Sequence, residues 1–320
     1  MSPRARNWLV VGAIAVLAAG ATVGATLATR TGTGGSVAAP TVTQKGAPEL
    51  DINLGVRTDP EAVALRHAAK LYATGHRKAA GAIFERYRSL DAQVGAALAD
   101  WPHGFDRLAE LQQANPGNSL AQLELGLAYF WQGRLAQAES AWRAARKAQP
   151  DTSYAVRAED LLYPNDFPGL PPFSPSFALS RDLAGLSSPQ YFAAVKRQAR
   201  HGDERAKLLY GAALQKLGRP VSAEKQFEAA LKLAPNDVDA RVAVAVGAFD
   251  KAKPAVAFSK LGPLARVYPS AVTVRFHLGL MLLWIGQPKA AKAQLQKVMA
   301  AGPSPFLGDT QYLLKKLAGK

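Results

Sequence analysis

Apolar and small residues follow two different rhythms along this chain. From Trp8 to Leu27 they run almost unbroken, WLVVGAIAVLAAGATVGATL, within 23 uncharged residues between Arg6 and Arg30. From about residue 61 they return every three or four positions, the spacing of one buried helix face. The intervening stretch, 31–60, is dominated by Gly, Thr, Ala and Pro and has no apolar period, which is the composition of a flexible tether. The first run matches the roughly 20 residues that a bilayer core demands of a helix, and a helix satisfies its own backbone donors there. A secretory signal has a shorter apolar core, of roughly 7–15 residues, ahead of a small-residue cleavage site. Ala25-Thr26-Leu27-Ala28 and Val37-Ala38-Ala39 could serve as such sites, so secretion after cleavage is the alternative. Arg4 and Arg6 place the short flank in the cytoplasm and the rest of the chain outside it. Residues 1–30 are thus expected to be a single-pass signal-anchor at the cell membrane, with an extracytoplasmic body.

The helical stretch is periodic on a longer scale as well. Pro235, Pro269 and Pro303 are spaced 34 residues apart, and blocks 204–237, 238–271 and 272–305 align on them without gaps. The eighth positions hold Gly211, Ala245 and Gly279, and the twentieth hold Ala223, Ala257 and Ala291. The seventeenth hold Pro220, Pro254 and Pro288, and the twenty-fourth hold Phe227, Leu261 and Leu295. Block 119–152 fits the same template with Leu125, Gly126, Tyr129, Gly133, Ala138, Trp142, Ala145 and Pro150. Each residue type has a physical reason. Small residues allow two helices to cross closely, and bulky ones fill the space between units. Gly133, Gly218 and Gly286 end a first helix where a left-handed residue is cheap. Pro220 and Pro288, after the last two, open a second helix, where a missing N–H costs nothing.

A fixed period of this length is the mark of a solenoid. The pattern resembles the tetratricopeptide repeat, a helix-turn-helix unit of 34 residues. The resemblance implies an all-α, right-handed solenoid of about five to six hairpins behind the single transmembrane helix. Block 61–94 opens it with Ala68, Leu71, Gly75, Ala80, Phe84 and Tyr87 at matching offsets, and 95–118 holds a truncated helical pair. The domains expected are an anchor at 1–30, a tether at 31–60, repeats at 61–152, an interruption at 153–203, three contiguous repeats at 204–305 and a capping helix at 306–320. The interruption contains LLYPNDFPGLPPFSPSFALS, five prolines interleaved with Tyr163, Phe167, Phe173 and Phe177. A solvated linker would not carry so many aromatics. It reads either as a strap that buries them on the solenoid or in its concave groove, or as a segment that contacts a ligand.

In the family the first helix of each unit lines a concave face. In this sequence that lining includes Leu123, Glu124, Leu127, Phe130 and Trp131, then Arg205, Leu208, Gln215 and Lys216. It continues with Asp239, Val242, Phe249, Phe276, His277, Leu280 and Trp284. The residues expected to meet a partner are Phe130, Trp131, Arg205, Lys216, Phe249, Phe276, His277 and Trp284. Relatives that grip a terminal carboxylate use Lys, Arg and Asn here. Only Arg205 and Lys216 could serve, so the apolar lining suits a hydrophobically anchored helix or extended peptide, and equally burial of the proline-rich strap.

Composition narrows the function further. There is no cysteine, which excludes disulfides, zinc ribbons and thiolate nucleophiles. No Walker loop, G-x-S-x-G or helix-opening G-x-G-x-x-G is present, and no two of the five histidines share a helix face. Neither catalysis nor a cofactor or metal is expected, and no nucleic-acid partner. The formal charge is +15, and +11 remains once Arg4, Arg6, Arg30 and Lys45 are set aside. That excess favours anionic partners at long range. The leading expectation is a membrane-anchored scaffold for a protein or peptide ligand. The alternative is a binder of anionic envelope polymer or lipid headgroups through a basic surface.

Overall fold

The computed structural model describes residues 46–318. The anchor expected at 1–30, and most of the tether, lie outside the described residues. Among those described, no helix is long and apolar enough to cross a membrane.

The described residues form helices and connecting turns in two compact units that divide at Leu162–Tyr163. The first unit contains α1 (Pro60–Ala73), α2 (Arg77–Phe84), α3 (Leu90–Ala99), α4 (Phe105–Ala114), α5 (Ser119–Trp131), α6 (Leu135–Ala148) and α7 (Ser153–Leu162). The second contains α8 (Arg181–Ala184), α9 (Ser188–His201), α10 (Glu204–Lys216), α11 (Pro220–Leu233), α12 (Val238–Gly247), α13 (Pro254–Val267), α14 (Val272–Trp284), α15 (Pro288–Ala300) and α16 (Leu307–Ala318). Helices pair in succession as hairpins: α1 with α2, α3 with α4 and α5 with α6, then α10 with α11, α12 with α13 and α14 with α15. The segment read as one interruption, 153–203, divides between the units. Its first helix, α7, packs on α6, while the remainder belongs with α10.

The hairpins begin and end for local reasons. Asp59, Ser89, Asn118, Asp203 and Asp237 each accept a backbone N–H of the first helical turn from their side chains. Gly133, Gly218 and Gly286 have φ of +76°, +68° and +68°, and the turns they form let α6, α11 and α15 start at once. In each of these turns the next residue's N–H returns to a carbonyl five residues back, as Arg219 does to Leu214, so a helix end is satisfied within the turn. Pro220, Pro254 and Pro288 occupy the first turn of the second helices.

Packing explains the glycine at the eighth position. A Cβ on Gly126 would lie 2.5 Å from Trp142, and one on Gly211 would lie 2.3 Å from Phe227. The first helix therefore lies flat on the large residue of its own second helix. Trp142, Phe227 and Leu295 are fully buried at these crossings, and burial of such side chains is what stabilises the stack. At the C-terminal end, Leu313, Leu314 and Leu317 of α16 join the core of the second unit, while Lys315 and Lys316 remain exposed.

Candidate functional site

In the second unit the segment from Phe167 to Phe177 runs extended across α14, α12 and α10. It holds by its main chain and by its rings together. The Gly169 carbonyl accepts the Trp284 indole N–H at 3.0 Å. The Phe173 N–H donates to Gln215 Oε1 at 2.8 Å, and the Ser174 N–H donates to His277 Nε2 at 3.0 Å. Further on, the Ser176 N–H and hydroxyl both donate to Asp239 Oδ2 at 2.7 Å. The Phe173 ring is buried between Phe227 and His277, with centroids 5.3 Å from each. Phe167 packs on Trp284, and the Arg205 guanidinium lies over Phe177.

His277 is the hub of this contact. Its Nδ1 lies 2.7 Å from the Thr273 carbonyl, which can only accept, so Nδ1 carries the proton and Nε2 is left to receive the Ser174 N–H. The ring is fully buried, and that burial pushes its pKa down to about 4, against the opposing influence of the Thr273 carbonyl and of Asp239. The neutral imidazole is thus the form that holds the strap. The other oxygen of Asp239, Oδ1, is buried with no hydrogen-bond partner.

The first unit contains a similar contact at its own N-terminal edge. Residues 46–54, read from sequence as part of a flexible tether, are extended over α5, α1 and α7. The Tyr72 hydroxyl donates to the Pro48 carbonyl at 2.6 Å, and the Asp51 N–H donates to Glu124 Oε1 at 2.6 Å. Asn53 N–H donates to the Tyr154 hydroxyl at 3.2 Å, which lies 3.0 Å from Asp91 Oδ1. Arg157 pairs with Glu49 and Asp51 at 2.9 and 3.2 Å. Glu124 is fully buried; burial, helped by the nearby Asp51 carboxylate, pushes its pKa well above the ordinary carboxylate value. Its Oε2 has no hydrogen-bond partner, nor has Trp131 Nε1.

The expected partner-binding residues divide three ways. Arg205, His277 and Trp284 all touch the strap. Phe130, Phe249 and Phe276 are buried, Phe130 against Trp142 at 5.8 Å and Phe276 stacked on Phe306 at 4.5 Å, so these three are core residues. Lys216 is exposed, and Trp131 is half-buried beside Gly46. Gln215, Asp239 and Glu124 are polar members of the same lining, and they carry the contacts to extended main chain. Their sequence signal was weak, because a lone polar residue on a helix reads as solvated until a donor is placed opposite it. Among the described residues no three His, Asp or Glu side chains are placed to hold a metal ion.

No protein-family description matches this sequence, and no curated protein sequence matches it. Solved structures do. One is a thermophilic TPR protein of Thermus thermophilus, TTC0263, at 22% identity over 58% of this chain and 98% of that one, with a TM-score of 0.27. Another is yeast Tom70, at 11% identity over 85% of this chain and 66% of that one, with a TM-score of 0.30. Both scores are low, and the hairpin architecture rests on the helix pairing described above.

Proposed function

We propose that this protein is a membrane-held, non-catalytic scaffold of tetratricopeptide type whose first-helix faces bind extended segments of a protein partner outside the cytoplasm. One observation carries the reading. In each unit an extended stretch of main chain lies across the first helices and is held through its N–H groups by side chains, Glu124 in one and His277, Gln215 and Asp239 in the other. A surface that holds main chain in this way suits extended polypeptide. The uncharged run from Trp8 to Leu27 supports anchoring through residues 1–30, and Arg4 and Arg6 support an extracytoplasmic body.

The test is recovery of partners by cross-linking the full chain in membranes, followed by washing at rising salt. Retention of a discrete protein set at high salt is the expected result. Binding that collapses between low and moderate salt, and passes equally to anionic polymer or lipid, would refute it in favour of a charge-driven surface.

A further inference from the structure

The two resident segments, far apart in sequence, are occupants of one recurring site. Aligned on their contacts, residues 46–53 read Gly-Ala-Pro-Glu-Leu-Asp-Ile-Asn and residues 169–176 read Gly-Leu-Pro-Pro-Phe-Ser-Pro-Ser. Both open on a glycine with positive φ, +108° at Gly46 and +72° at Gly169, a conformation that disfavours any side chain. Each glycine lies against the tryptophan that ends a first helix, Trp131 or Trp284. Two residues on, Pro48 and Pro171 are buried. Four on, Leu50 and Phe173 enter the hydrophobic core of their unit.

The hydrogen bonds recur in the same register. Five residues after the glycine, the N–H of Asp51 or Ser174 meets a side chain, Glu124 or His277, that stands seven residues before the tryptophan on the same helix. Seven residues after the glycine, the N–H of Ser176 reaches Asp239 directly. The N–H of Asn53 reaches Asp91 through the Tyr154 hydroxyl. Asp91 and Asp239 are each the second residue of the middle first helix of their unit.

We infer that each unit is one copy of a duplicated peptide-reading channel, selective for an extended Gly-apolar-Pro-x-apolar-Ser/Asp segment, and that a partner protein presenting this pattern displaces the resident copy. This rests on the scaffold reading above and names its ligand class. The facing groups at the fifth and seventh positions accept main-chain donors, so the channel takes peptide interior rather than a terminal carboxylate. The positive φ of the glycine, together with the buried proline and the second apolar side chain, sets selectivity. The residents leave buried polar atoms unpaired, Trp131 Nε1 and Glu124 Oε2 in one channel and Asp239 Oδ1 in the other. A foreign segment with a hydroxyl or carboxamide side chain at these points satisfies them, which offsets the advantage a tethered resident has in effective concentration. A second copy of this chain carries the same residents and leaves the same atoms unpaired, so it has no such advantage.

The experiment uses the detergent-solubilised full chain, a variant in which residues 169–176 are replaced by a Gly/Ser linker of equal length, and a labelled peptide with the sequence of residues 167–177. The variant is expected to bind the peptide at least tenfold more tightly than the unaltered chain. Peptides carrying Ser174→Pro, which lacks the donor to His277, or Phe173→Ala should bind at least tenfold more weakly. A folded variant that binds no peptide, or binds the scrambled sequence equally well, overturns the inference. Should the variant fail to fold, the unaltered chain is used with saturating peptide: loss of amide protection at Ser174 and Ser176 supports displacement, and unchanged protection overturns it. Concentration-dependent self-association of the unaltered chain through exchanged segments, lost in the linker variant, would assign the channel to a second copy and overturn the partner assignment. Partners cross-linked at another face, with no peptide binding, would overturn this inference and leave the scaffold reading standing.

Discussion

Replacing Phe173 by alanine probes how the strap is held. The ring is buried, with Phe227 edge-on at an interplanar angle of 65° and His277 stacked at 21°. Truncating such a ring costs about 3–5 kcal/mol, through lost transfer energy and the cavity it leaves. The two ring contacts fall within that figure, each at about 0.5–1.5 kcal/mol. The strap is held to α10, α12 and α14 by hydrogen bonds from its own main chain to side chains, so the loss should appear first as its local opening rather than as global unfolding. Taking the lower part of the range, about 3–4 kcal/mol, exchange of the Ser174 and Ser176 amides should accelerate by roughly 100- to 1000-fold. Amides within α11 and α15 should change far less. Native-state hydrogen exchange resolved to single residues makes the measurement. Protection at Ser174 and Ser176 equal to that of the parent chain would refute the reasoning. So would a uniform loss across α10 to α15, because the strap would then be an inseparable part of the core.

Other perturbations separate the remaining arguments. Gly211→Ala puts a methyl 2.3 Å from the Phe227 ring and should cost about 1–3 kcal/mol, read as a lower melting temperature; no change would disprove the close crossing. Lowering the pH should loosen the strap. His277 has a folded-state pKa of about 4 against an ordinary 6.5, so the unfolded chain protonates first. Its contribution is complete above about pH 6.5 and is lost as the pH falls towards 4, at most about 3 kcal/mol, and faster exchange at Ser174 over that window is the check. The first unit should respond with the opposite sign, since Glu124 has a raised pKa and is stabilised protonated; contact with Asp51 weakens as the pH rises through that value. Glu124→Gln keeps an acceptor for the Asp51 N–H and cannot ionise. In that variant the loss of protection at Asp51 with rising pH should diminish.

The hairpins were legible in the sequence because their determinants are local and steric. Pro235, Pro269 and Pro303 mark a 34-residue step, Gly218 and Gly286 turn the chain, and glycine at the eighth position is required where the ring of Trp142 or Phe227 lies directly beneath it. The choice between two fates for the proline-rich segment was not legible. Its aromatics demanded burial, but periodicity is absent from an extended strand, so nothing in the sequence said which surface would take them. Tertiary structure decided that His277, an isolated histidine by sequence, faces the Ser174 N–H, and that Glu124 faces the Asp51 N–H. It also decided that Phe130 and Phe276, on first helices, and Phe249, which lies past the end of α12 rather than on it, turn into the core. The sequence by itself determined the repeating scaffold, since each hairpin depends on near neighbours. Occupancy of the channels depends on donors and acceptors up to 115 residues apart, which only the folded chain brings together.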